Sequence, residues 1–250
     1  SQLVQSDCIR SNVEHMRRNR GVCMGSLYWQ INDSNPVISW SSVDYYNRPK
    51  ALHYAAKRFY SPVLLSCLEE NTSSVVLNVS NETMEPVKGI ISWKLRNARS
   101  EILTNGTIGI DVQPLAAKNA AALNFGDYFR TEHDKRTNYL EYFLEENGKI
   151  LSKGTTIFVR PKTFCFIDPR ISVRIDEKYE RFDITLTSAA FAKAVYLDLA
   201  DADCEFGDNW FDLNADEPLC VSVSRKTLSE DMDSTQFSSR LRIMSCFDLQ

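Results

Sequence analysis

Apolar residues recur at spacings of three and four over Ser1–Asn19, where Val4, Cys8, Ile9, Val13 and Met16 fall on one side of a helix. Arg17, Arg18 and Arg20 put positive charge at its C-terminal end, which suits the helix dipole. Gly21 follows as a stop signal. Val22–Ile31 is mostly apolar with no polar alternation, the texture of a strand buried on both faces in a parallel sheet. Asn32–Asn47 is rich in Asn, Ser and Pro and reads as a loop. Pro49 can open a helix, because its missing N–H is not needed in the first turn. Leu52, Ala55, Ala56 and Phe59 then mark the apolar face of a helix over Lys50–Tyr60. Helix, strand, loop, helix is one step of a βα repeat. A single step leaves strand edges and apolar faces bare, so further sequence upstream of Ser1 is expected.

After residue 60 the pattern changes to short strands between turn signals. Val63–Cys67, Val75–Val79, Gly89–Leu95, Ile108–Val112, Ala121–Phe125, Asn138–Leu144 and Thr155–Phe158 are predicted strands. Asn81-Glu82, Asn105-Gly106 and Asn147-Gly148 are predicted turns. Seven strands in about a hundred residues predict an immunoglobulin-like sandwich. Pro161 opens a second set: Thr163–Ile167, Ile171–Ile175, Arg181–Thr187, Ala194–Leu199, Trp210–Leu213, Leu219–Ser224 and Leu241–Phe247. Asp183, Thr185 and Thr187 alternate with Ile184 and Leu186, as in a half-buried strand. The predicted architecture is mainly β, with units at 1–60, 61–160 and 161–250.

Composition narrows the function classes. With 43% apolar and 25% charged residues the chain can bury a sizeable core. A net charge of -4 argues against nucleic acid as partner, which would need a basic face. No apolar run is long enough for a membrane helix, and Ser1–Arg20 lacks the apolar centre of a signal peptide. The first residue is Ser and not Met, so a longer parent chain is expected. The seven cysteines are spread without close pairs and read as buried, reduced thiols of a cytoplasmic protein, with a Cys204–Cys220 disulfide as the alternative. Asn-x-Ser/Thr sequons at Asn71, Asn78, Asn81 and Asn105 fit exposed loops and strand edges. His15, His53 and His133 have no Cys or His partner at metal-ligand spacing. No phosphate loop or nucleophile elbow is present, so neither metal nor cofactor is expected.

Three stretches resemble a known family: Gly25-Ser-Leu-Tyr-Trp-Gln-Ile-Asn-Asp33, Ser39-Trp-Ser-Ser-Val-Asp-Tyr-Tyr46 and Lys50-Ala-Leu-His-Tyr-Ala-Ala-Lys-Arg-Phe59. They are similar to the final barrel strand, loop and helix of family-2 glycoside hydrolases, in the β-mannosidase and exo-β-glucosaminidase branch. Glu14-His-Met-Arg-Arg-Asn-Arg-Gly21 resembles the helix before that strand. Gly207-Asp-Asn-Trp-Phe-Asp-Leu213 resembles a strand-turn motif in the last immunoglobulin-like domain of those enzymes. The family usually has Trp-Pro where this chain has Asn35-Pro36, often Gly in place of Asn47, and an aromatic in place of Pro49.

The resemblance implies that 1–60 is the last helix–strand–helix piece of a (β/α)8 TIM barrel, followed by two immunoglobulin-like β-sandwiches. It implies a retaining exo-β-glycosidase as parent, most simply a β-mannosidase releasing terminal β-linked mannose, whose active site is shared with upstream domains. Retaining enzymes need two carboxyl groups about 5–5.5 Å apart. The family places both before residue 1, so this chain is expected to hold no catalytic residue and to be inactive alone. Trp29, near the C-terminal end of the strand, is the leading substrate-binding residue, since barrel sites form at that end and an indole can stack on a sugar face. Gln30, Asn32 and Asp33 either orient hydroxyls or hold the loop. Trp40 is expected to pack that loop, and Trp93 and Trp210 to fill sandwich cores. Asn35 removes a flat stacking surface, so a β-glucosaminide or β-galactoside remains an alternative substrate. A carbohydrate-binding or docking sandwich module is the alternative of a different class.

Overall fold

The computed structural model describes residues 1–69 and 73–250. The Asn71 sequon therefore lies outside the described residues. The chain folds as a helical arm and two β-sandwiches. Helix α1 (Gln2–Arg18) crosses α2 (Ala51–Phe59), with Val13, Leu52, Ala55, Ala56 and Phe59 buried between them. Both helices match the predicted spans. Between them, residues 22–31 belong to no helix and no ladder strand among the described residues, so the doubly buried strand expected there is not formed. The reason is physical: a parallel strand needs neighbours on its edges, and among the described residues this stretch is followed by just an isolated bridge, Asn32 to Val43.

The first sandwich contains all seven expected strands. They are β1 (Val63–Glu69), β2 (Ser74–Asn81), β3 (Val87–Asn97), β4 (Ile102–Val112), β5 (Ala116–Asn124), β6 (Asn138–Glu146) and β7 (Lys149–Ile157). A β1-β2-β5 sheet faces a β4-β3-β6-β7 sheet, all antiparallel. Leu65, Val75, Leu77 and Val79 meet Ile91, Leu95, Leu140 and Leu144 between the sheets, as period-two alternation requires. Trp93 lies half-buried against this core, edge-on to Phe125. Asn147-Gly148 forms the predicted hairpin turn, both residues having positive φ. Asn105-Gly106 is no turn: it lies inside β4 opposite Trp93 and Lys94. A Cβ on Gly106 would sit 2.6 Å from the Trp93 ring, so this glycine makes room for an indole.

Two sequons are likewise inside the fold. Asn78 and Asn81 are buried on β2. Asn78 donates to Asn119 Oδ1 (2.8 Å), and Asn81 donates to the carbonyls of Glu85 (2.8 Å) and Gln113 (3.1 Å). Asn105 is exposed, as expected.

The second sandwich has strands β8 (Ser172–Glu177), β9 (Arg181–Thr187), β10 (Ala192–Leu199), β11 (Phe211–Leu213), β12 (Leu219–Ser224) and β13 (Leu241–Met244). They form β12-β9-β8 and β11-β10-β13 sheets. Phe182, Ile184 and Leu186 point inward from β9 while Asp183, Thr185 and Thr187 face outward, as predicted. Thr163–Ile167 is not a strand. It is a linker whose Phe164 and Phe166 enter the seam between the sandwiches, against Tyr139 and Phe191. Two short helices go unforeseen: α3 (Glu132–Thr137) and α4 (Ser234–Arg240), each opened by a capping box, Thr131 with Asp134 and Asp233 with Gln236. All seven cysteines are free; Cys67 and Cys246 are buried as expected, but Cys8 and Cys220 are exposed.

The seam carries a polar lock. Arg96 is 1% exposed. It donates to Glu141 (2.7 Å), to the Ser100 carbonyl (2.6 Å) and across the seam to Asp216 (3.0 Å). Asn214 of the second sandwich donates to Glu141 (2.7 Å) and accepts from the Tyr139 hydroxyl (2.7 Å). A second tie joins β7 to β11. Asp212 accepts from the Thr155 hydroxyl, from Lys193 (3.2 Å) and from the Ala194 N–H (2.8 Å). Burial pushes the Asp212 carboxyl up, but Lys193 and Thr155 outweigh it and hold the group below the usual carboxylate range.

Arg96→Ala leaves the Glu141 carboxylate buried without its main partner, and we expect it to lower unfolding free energy by about 3–5 kcal/mol in urea titrations. A loss within ~0.5 kcal/mol would show that the lock contributes nothing. Asp212→Asn is expected to cost stability at neutral pH. Because the folded-state pKa is depressed, the gap to the unaltered chain is full above the ordinary carboxylate pKa of about 4 and closes as pH falls through the folded value. Unfolding midpoints measured from pH 7 downward check this, and a gap that does not narrow at all as pH falls below about 4 would contradict it.

Candidate functional site

The arm is held by both sandwiches. Arg17 donates to the carbonyls of Phe59 (2.6 Å) and Ser61 (2.7 Å), matching cationic charge to the C-terminal end of α2. On the flank of α2, Arg58 meets Asp208 (2.7 Å) and the carbonyls of Asn209 (3.2 Å) and Trp210 (3.0 Å). The Tyr54 hydroxyl donates to the Phe206 carbonyl (3.2 Å). The motif Gly207–Leu213 is thus where arm and sandwiches converge: Asp208 receives α2, and Asp212 receives β7. Trp210 stacks on Tyr196, half-buried at the seam and not in a sandwich core.

Residues 27–31 alternate between exposed and half-buried beside the two helices. Tyr28 turns toward the helices, packs on their core and donates to Ser42 Oγ (3.0 Å). Leu27, Trp29 and Ile31 stand exposed, Trp29 by 78%. The Trp29–Gln30 peptide is cis. The next segment lies alongside: the Ser42 N–H donates to the Gln30 carbonyl (3.0 Å) and the Val43 N–H to the Ile31 carbonyl (2.8 Å). Trp40 is exposed too, together with Val37 and Ile38, so it does not pack the loop as expected. Asn47 has φ of 62°, the left-handed conformation that asparagine tolerates better than most residues.

The four expected binding residues divide into two pairs. Trp29 and Asn32 are exposed. Gln30 and Asp33 turn inward and meet each other, Gln30 Nε2 donating to Asp33 Oδ1 (3.0 Å). Asp33 is only 6% exposed. Ser39 Oγ lies 2.6 Å from Oδ2 and 2.7 Å from Oδ1, and Ser41 Oγ donates to Oδ2 at 2.6 Å. Lys50 Nζ donates to Ser41 Oγ (2.7 Å) and lies 3.9 Å from Asp33. The Ser39 and Ser41 hydroxyls hold the Asp33 carboxyl below its usual range. Ser39, Ser41 and Lys50 fall within recognisable motifs, yet nothing in their sequence context shows that they converge on one carboxylate.

The other carboxylates near this segment are committed as well. Asp44 accepts from the N–H groups of Tyr46 (2.8 Å) and Arg48 (2.9 Å), and Glu14 is held by Arg10 (3.2 Å) and Arg18 (3.6 Å). Among the described residues no cluster of three His, Cys, Asp or Glu could hold a metal, and no helix is long and apolar enough to cross a membrane. A cleft of about 1770 Å³ opens where the three units meet, but no residue from 15 to 54 lines it. Several of its charges are paired, Arg10 with Glu14, Arg58 with Asp208 and Lys193 with Asp212, while Lys57, Lys153, Arg160 and Lys162 also line it.

Comparison with known proteins places these features. Residues 73–163 match the Mannosidase Ig/CBM-like domain and residues 166–249 the Ig-fold domain of the Ig_mannosidase family. The chain is 29% identical over 216 residues to Beta-mannosidase A of Aspergillus terreus, covering 78% of this chain and 22% of that protein. It is 28% identical over 228 residues to the Beta-mannosidase of Capra hircus, covering 84% of this chain and 25% of that protein. It therefore spans about a quarter of the length of these relatives. In three dimensions, 98% of the chain superposes on 29% of the β-D-mannosidase of Dictyoglomus thermophilum, with a TM-score of 0.81 and 21% identity. The exo-chitosanase of Amycolatopsis orientalis gives a TM-score of 0.68 at 17% identity, over 98% of this chain and 33% of that one. The chain thus carries two mannosidase-type immunoglobulin-like domains and is a homologue of the β-mannosidases of glycoside hydrolase family 2.

Proposed function

We propose that this chain is the C-terminal portion of a retaining exo-β-glycosidase that releases terminal β-linked mannose, and that residues 1–60 contribute the last strand and flanking helices of its barrel. The observation that carries this reading is the two-sidedness of residues 27–31. Tyr28 packs on the helices while its neighbours Leu27, Trp29 and Ile31 stand exposed. A barrel strand shows this division, with its outer face on helices and its inner face toward the lumen. Trp29 then lines one wall of the sugar pocket, and Asn32, exposed at the end of the segment, meets a hydroxyl. The catalytic carboxyl pair lies in the rest of the parent enzyme, and the 250-residue chain is inactive alone. A β-glucosaminide as substrate is the second reading, favoured by the chitosanase superposition and by Asn35.

Assays with an aryl β-mannoside test the reading. The 250-residue chain is expected to give no turnover, and the full-length enzyme carrying it to hydrolyse the mannoside in preference to the aryl β-glucosaminide. In that enzyme Trp29→Ala removes an aromatic wall. The loss in kcat/KM is expected to be roughly tenfold to hundredfold, the equivalent of burying one large side chain. Turnover by the isolated chain would refute its dependence on upstream domains, and preference for the glucosaminide would refute mannose as the sugar.

A further inference from the structure

We propose that Asp33 is a positioning residue, which aims Trp29 and Trp40 together and does not itself bind sugar. The inference rests on the reading of Trp29 as a wall of the sugar pocket and concerns how that wall is held. The argument is geometric. Both Asp33 oxygens already accept hydrogen bonds from the chain: Oδ1 from Gln30, Oδ2 from Ser41, with Ser39 Oγ within reach of both. The carboxylate is buried, so it presents no free lone pair to a ligand arriving on the exposed side.

What matters is which residues supply the donors. Gln30 is the immediate neighbour of Trp29. Ser39 and Ser41 flank Trp40 on either side. One carboxylate thus gathers the side chains next to both exposed indoles, which otherwise have little packing of their own. Charge-assisted hydrogen bonds to an ionised acceptor are the stronger kind, and three converging donors leave the loop one preferred shape. Lys50, at the N-terminal end of α2, extends the tie to the platform through Ser41. The Trp40 carbonyl is pinned separately by Gln5 of α1 (2.6 Å). Side chains that bind by stacking need such support, because an indole loose by an ångström loses most of its orienting value.

The test is fluorine NMR on the 250-residue chain labelled with 5-fluorotryptophan. Trp29, Trp40, Trp93 and Trp210 give four resonances, assigned by single Trp→Phe variants. Asp33→Asn is expected to shift or broaden the Trp29 and Trp40 signals beyond their line widths and to leave those of Trp93 and Trp210 in place. Unmoved Trp29 and Trp40 signals, or an equal disturbance of all four, would overturn the proposal, since a merely structural carboxylate alters global stability without singling out these two. Should Asp33→Asn fail to fold, Ser39→Ala and Ser41→Ala each remove one donor. Each is then expected to move the Trp40 signal, and an unmoved signal in both overturns the proposal equally. The measurement needs no sugar, so a failure of the mannoside assay and a failure here remain separate results.

Discussion

A guanidinium taken out of water must find acceptors where it sits, and buried Arg96 and Arg17, with half-exposed Arg58 beside them, join the three units. Arg96 joins the sandwiches through Glu141 and Asp216. Arg17 ties α1 to the end of α2 and to the start of the first sandwich. Arg58 ties α2 to the second. Each donates in more than one direction, and the planar fork fixes an angle as well as a distance. Removing Arg96 or Arg17 would leave stranded acceptors in an interface, which is why the arm holds its place although residues 22–31 join no ladder among the described residues.

This arrangement explains the two-faced character of the arm. One part is satisfied by helices and sandwiches. Another carries Leu27, Trp29, Ile31, Ile38 and Trp40 in the open. Exposed apolar surface marks an interaction site where it is contiguous. It is the natural state of a barrel strand whose neighbours lie elsewhere in the parent, as the proposed function holds.

Much of this was legible in the sequence because strand periodicity is local. The first sandwich follows from apolar runs separated by turn residues, and β9 from strict alternation. Thr163–Ile167 misleads because an extended linker that buries Phe164 and Phe166 in a seam has the same period as a strand. Val22–Ile31 reads as a buried strand because its composition is apolar without polar alternation, yet no ladder strand pairs with it among the described residues. The helices α3 and α4 are too short for a periodic signal, although both capping boxes can be read. At the candidate site, Trp29 is legible through its motif. The role of Asp33 is not, because its hydroxyl donors arrive from six and eight positions downstream and only the loop's return brings them together.

The burial of Asn78 and Asn81 has a consequence for biogenesis. Both head sequons, yet in the folded chain their amides are spent on Asn119 and on the Glu85 and Gln113 carbonyls. A glycan is bulky and solvated, so β2 can carry one at these positions or enter the sheet, not both. In a compartment that attaches glycans to chains still unfolded, sandwich formation and sugar transfer would compete for the same two side chains. The speed with which β2 finds β1 and β5 would then decide how much of the product is competent.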